Sequence, residues 1–181
     1  MTAPPPCPQP QDFSVLSGFI TPGSDTTPHA LDASIAVSVL DPTENNEPVR
    51  IVEMEDPWDL EVDWCICGRF ADLVGGCWYV RVFIDRIDGI AGETRGELDS
   101  TKVDVSTGKS TPGDDTSQKC FEYTFHFPAG RVVRGVYNLV VIITLINTPC
   151  DKVDPGKEGP YVQDMLGYTE IPVLVFFARN A

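Results

Sequence analysis

Basic side chains are scarce in this sequence: 13 Lys and Arg stand against 27 Asp and Glu, a formal net charge of −14. That balance excludes the positive footprint that nucleic acids and anionic membrane surfaces require. It leaves room for solubility, for cation binding or for a basic partner. Histidine is scarcer still, with only His29 and His126, and neither belongs to a G-x-S-x-G elbow or an H-E-x-x-H motif. Nucleophilic catalysis therefore lacks support, His126 reads as a surface or interface residue, and the chain is expected to be non-enzymatic and to need no cofactor. Long apolar runs are missing too. The longest, "VYNLVVIITLI", is interrupted by Asn138 and Thr144, and it is about half of the roughly 20 residues that span a bilayer. No membrane insertion is expected. The opening "MTAPPPCPQPQD" has neither the basic nor the apolar region of a secretory leader, so synthesis in the cytoplasm is expected.

A 3.6-residue apolar period with helix caps is absent as well, and period-2 alternation takes its place. Residues 1–11 form a Pro-rich arm of polyproline character. Behind it come "DFSVLSGFI", "DASIAVSVL", "VRIVEM", "DPWDLEVDWCICGRF", "CWYVRVFIDRI", "CFEYTFHF", "GVYNLVVIITLI" and "YTEIPVLVFF", each bounded by Pro, Gly, Asp or Asn. Short strands between such turns predict an all-β fold, an antiparallel two-sheet β-sandwich of about eight strands over residues 12–181. Residues 88–119 read as a long polar loop region, with one short edge strand near "TKVDV".

Alternation also assigns faces. In "DPWDLEVDWCICGRF", Trp58, Leu60, Val62, Trp64 and Ile66 fall on one side, and Asp59, Glu61, Asp63, Cys65 and Cys67 on the other. The apolar set is expected to face Trp78, Val80, Val82 and Ile84 across a core, with Phe121, Tyr123, Phe125 and Phe127 as a third inward row. A strand bearing a core Trp, then a turn and a long partner strand, resembles an immunoglobulin-like sandwich over residues 30–179. The resemblance is one of architecture. Immunoglobulin domains carry a core disulfide in Cys…Trp…Cys spacing, whereas Cys65 and Cys67 alternate away from the core here.

The six cysteines are Cys7, Cys65, Cys67, Cys77, Cys120 and Cys150. C-x-C on a strand sets two thiols on one face, unlike the C-x₂-C of zinc knuckles, so no metal is expected at Cys65, Cys67 and Cys77. In an oxidising compartment Cys65 or Cys67 can pair with Cys77 across a hairpin, and Cys7 with Cys150 to tie down the arm; in a reducing one all stay free thiols. Carboxylates concentrate between Asp41 and Asp63, where Arg50 is the only base. The ladder Asp59, Glu61, Asp63 needs nearby cations, and Arg81 on the next strand is the expected partner. Most of this acidity reads as solvated surface. Asp41, Glu44, Asp114 and Asp115 lie in Asp/Asn/Gly loops of the kind that hold Ca²⁺, without the ligand period of an EF-hand.

The C-terminal strands are apolar on both faces, where a sandwich strand should keep one face wet. Val136, Val140 and Ile142, together with Ile171, Val173, Val175 and Phe177, are the candidate interface. The expected function is a structural or assembly subunit working through protein–protein contacts, either with its own kind or with another protein. A small-ligand or Ca²⁺-binding module is the alternative, and a hydrolase a distant third.

Overall fold

The computed structural model describes residues 16–17, 32–43, 47–68, 71–88, 95–111, 117–154 and 163–178. Its strands are β1 (Leu16–Ser17), β2 (Asp32–Asp41), β3 (Glu47–Pro48), β4 (Ile51–Glu53), β5 (Trp58–Gly68), β6 (Cys77–Arg86), β7 (Arg95–Asp104), β8 (Lys109–Thr111), β9 (Ser117–Phe127), β10 (Gly135–Ile146) and β11 (Gln163–Phe177). Helix among the described residues is limited to three single 3₁₀ turns, and no helix is long and apolar enough to cross a membrane.

The first sheet runs β1–β11–β10–β6–β7, with β4 added to β11 in parallel; the second runs β3–β2–β5–β9–β8. All the other pairings are antiparallel. The fold is an all-β sandwich. Its order is that of immunoglobulin-like sandwiches, with β2, β5, β9 and β8 in the places of strands A, B, E and D, and β11, β10, β6 and β7 in those of G, F, C and C′. A second immunoglobulin-like feature lies at the β9–β10 corner. Tyr137, near the start of β10, is fully buried, and its hydroxyl donates to the Val133 carbonyl at 3.0 Å. That is the tyrosine corner of such domains, in which the second core cysteine follows two residues later. Buried Leu139 stands there instead.

Alternation predicts the core correctly on β5, β6 and β10. Trp58, Leu60, Val62, Trp64 and Ile66 are buried against Trp78, Val80, Val82 and Ile84, and against Leu139, Val141, Ile143 and Leu145. Aromatic rings cluster at both ends of this layer. Trp64 stacks on Phe121 at 5.3 Å and meets Trp78 edge-on at 6.1 Å. Trp58 stacks on Phe127 at 4.2 Å and meets Phe176 edge-on at 5.4 Å. Each tryptophan removes about 200 Å² from water, worth roughly 5 kcal/mol. Tyr123 departs from its row at 36% exposed. Its ring lies edge-on to that of Phe125 at 4.8 Å, while Phe121, Phe125 and Phe127 of the same row are buried.

Residues 88–119 differ from expectation. β7 is a ten-residue strand paired along β6, not one short piece near "TKVDV". As the edge of its sheet it needs apolar groups on little of its length, and its Glu97, Asp99 and Lys102 guard it against pairing with other chains. Leu98 is its buried anchor, and its carbonyl accepts from the Arg131 guanidinium.

Candidate functional site

The two sheets leave two outer faces, and their chemistry differs sharply. On the second sheet, Asp59, Glu61 and Asp63 of β5 lie opposite His126, Thr124 and Glu122 of β9. His126 Nδ1 is 2.8 Å from Asp59 Oδ1, and Lys109 reaches Glu122 at 3.0 Å. Burial first, then the charges of Glu61 and Glu122, raise the Asp63 carboxyl above its ordinary range, while Lys109 acts the other way. Arg81 is not the cation of this ladder. β5 and β6 do not form a hairpin: they belong to opposite sheets, so Arg81 projects from the far side of the molecule.

The same crossing redirects the disulfides. Cys77 cannot meet Cys65 or Cys67. Cys65 is bonded to Cys120, its direct cross-strand neighbour on β9, with Cα atoms 4.1 Å apart. Cys77 is bonded to Cys150 rather than leaving it to Cys7. Cys67 is disulfide-bonded too, and Cys7 lies outside the described residues. The sulfurs of Cys65, Cys67 and Cys77 are therefore spent in disulfides and offer no thiolate to a metal. Cys67 is also buried, not turned to solvent. Of the loop carboxylates, Asp41 caps a turn, accepting from the Thr43 N–H at 2.7 Å and its hydroxyl at 2.6 Å; Glu44, Asp114 and Asp115 lie outside the described residues. Among the described residues no three His, Cys, Asp or Glu side chains gather into a metal-binding group. A cavity of about 100 Å³, lined by Val37, Val39, Pro48, Val49 and Ile171 among others, is well below the roughly 300–1,000 Å³ of small-molecule sites.

The outer face of the first sheet carries the more distinctive set. Register aligns Arg81, Ile142 and Tyr168 in one cross-strand row, and Phe83, Val140 and Glu170 in the next. Tyr79 and Thr144 lie beyond the first row, and Asp85 and Asn138 beyond the second. The Arg81 guanidinium sits between two rings of its own strand, 5.5 Å from Tyr79 and 5.4 Å from Phe83. Such cation–π contact holds the charge without neutralising it, and buried Arg81 Nε has no hydrogen-bond partner. Tyr168 is 47% exposed.

One end of this face is sealed. The Cys77–Cys150 disulfide draws residues 150–153 over it, burying Ile146, Val153 and Thr144. Lys102 fixes that flap through the carbonyls of Cys150 and Val153, at 3.0 and 2.9 Å. Gly76 makes the approach possible, since at φ 109° any Cβ would run into the Ile146 carbonyl.

The expected interface residues divide. Val136, Val140, Ile142 and Val175 are half-buried on the outer face, Val136 opposite Val175. Phe177 is 37% and Val173 51% exposed. Ile171 is a correction: it is 4% exposed and packs in the core. A β-bulge causes this. Leu139 faces Ile171 while Tyr137 faces Leu174, so Pro172 and Val173 together oppose Asn138. The extra residue shifts the alternation, and Ile171 joins Leu174 and Phe176 inside. Alternation in the sequence does not assign Tyr79, Arg81, Phe83, Tyr168 and Glu170 to a contact surface. The available signal was the non-core set of "CWYVRVFIDRI", where two aromatics flank an arginine instead of the small polar residues of a wet face.

Comparison with known protein families, curated proteins and solved structures finds no match to the chain.

Proposed function

We propose that this chain is a non-enzymatic β-sandwich module that works through protein–protein contacts, as a structural or assembly subunit, with the outer face of its first sheet as the contact surface. The observation that carries this reading is the pair of rows Arg81–Ile142–Tyr168 and Phe83–Val140–Glu170. A sheet face left to water alternates to polar residues. This one presents aromatic, aliphatic and arginine side chains, the types enriched where proteins meet. The bonded cysteines are those of a module working in an oxidising environment.

Site-directed photo-crosslinking tests the surface. With Tyr168→p-benzoylphenylalanine, irradiation in the producing cells is expected to give an adduct whose other half maps by mass spectrometry to one defined peptide. The same group at Thr124, on the outer face of the second sheet, is expected to give none. Diffuse labelling from both positions, or no adduct from position 168, overturns the reading.

A further inference from the structure

Resting on that reading, we infer that the partner at this face is a second copy of the chain, docked about a two-fold axis. The six side chains of the two rows are self-complementary. Arg81 and Glu170 lie on one diagonal, Phe83 and Tyr168 on the other, with Val140 and Ile142 between them. Each diagonal spans two strand spacings and one pleat repeat, about 9.6 Å by 6.8 Å. A two-fold axis lying in the interface, centred over Val140 and Ile142 and perpendicular to the charged diagonal, exchanges the two charges. It sets Arg81 of each copy against Glu170 of the other. The same operation leaves Phe83 beside Phe83 and Tyr168 beside Tyr168, an isologous contact with an apolar centre.

Both charged groups have capacity for such a bond. Arg81 makes no ion pair with the described residues, and the contacts that hold its guanidinium are to the rings of Tyr79 and Phe83. Glu170 uses Oε1 to accept from Asn138 Nδ2 at 2.9 Å, and its other oxygen has no partner among the described residues. The overall balance of −14 argues against a random encounter of two copies, so a half-buried arginine and an exposed glutamate at opposite ends of a diagonal, with Val140 and Ile142 between them, are the feature that selects this orientation. Four strands and the rows from Ile142 to Val136, short of the end that residues 150–153 cover, make a face of roughly 19 Å by 20 Å. That is the size of a weak, transient contact, so a concentration-dependent dimer is expected.

Sedimentation and light scattering on the purified chain test this with Arg81→Glu and Glu170→Arg. The parent is expected to dimerise. Each substitution alone sets like charges together twice and should raise the dissociation constant about a hundredfold or more. Mixed in equal amounts, the two variants should recover a heterodimer, because both contacts again join opposite charges; a misfolded variant could not do this. A chain monomeric up to about 1 mM, the weakest affinity worth the name for such a contact, overturns the inference. So does a dimer indifferent to both substitutions, or a mixture that stays monomeric. In those cases cross-linking from position 168 to a peptide of a different protein leaves the contact surface standing, and absence of any adduct removes both.

Discussion

Asp63 lies directly opposite Glu122 and shares its strand face with Glu61, an arrangement that costs repulsion wherever all three are ionised. Burial is the largest cause of its raised pKa, and the two glutamates add to it. An acid whose folded pKa lies above its unfolded one binds its proton more tightly when folded. Its effect on stability is therefore most favourable at low pH, and it declines as pH rises from the ordinary 3.8 through the raised folded value. Asp63→Asn removes the ionisation and keeps the shape. Thermal melts should show the variant above the parent at pH 7, with the gap closing as pH falls towards 3.8. Equal melting temperatures at pH 7 would mean that solvent already screens the cluster. This ladder was legible in the sequence as a face. Its partners were not, because His126 and Lys109 arrive from β9 and β8 by long-range pairing.

At the scale of elements, β10 and β11 meet at the bulge where Asn138 opposes Pro172 and Val173. Pro172 has no N–H to give, and the Asn138 side chain joins both sides of the irregularity. It donates to Glu170 at 2.9 Å and accepts from the Val173 N–H at 3.4 Å. Val173 itself has φ 60°, a left-handed conformation that is strained for a β-branched residue by about 1–2 kcal/mol. Val173→Gly relieves that strain and gives back part of it as chain entropy. A net gain of roughly 0.5–1 kcal/mol, or a melting temperature about 1–4 °C higher, is expected. Asn138→Leu should go the other way by about 1–2 kcal/mol, since it removes both hydrogen bonds. A destabilised Val173→Gly would show that the valine side chain contributes more than its backbone costs. Alternation along "IPVLVFF" gave no warning of this bulge, because one inserted residue leaves the composition of the strand unchanged. What alternation does report is face, as the buried set of β5 shows; it does not report sheet. β5 and β6 read as neighbours in sequence, so both the proposed thiol pair and the Arg81 partner failed at one step, the crossing between sheets. β7 went largely unread for a different reason, since an edge strand guarded by charge has little apolar period to detect.

For the whole molecule, long-range and short-range electrostatics oppose each other. Two copies approach with −14 on each, and at about 0.01 M salt the screening length of about 30 Å lets those charges repel well before contact. At about 0.1 M the length falls to about 10 Å, and most of that repulsion is gone. The two Arg81–Glu170 contacts act at a few ångströms, beside rings and aliphatic groups that exclude water, so salt weakens them less. Dimer formation is therefore expected to strengthen as salt rises from about 0.01 to 0.1 M, mainly through faster association, and to change little beyond that. Sedimentation equilibrium across this range reads the effect directly. A dissociation constant that climbs steadily with salt would mean that attraction between charges dominates the contact, contrary to an apolar centre framed by only two ion pairs. In Arg81→Glu and Glu170→Arg mixed together the same upward trend should persist, because exchanging the two charges leaves the summed charge of the pair unaltered.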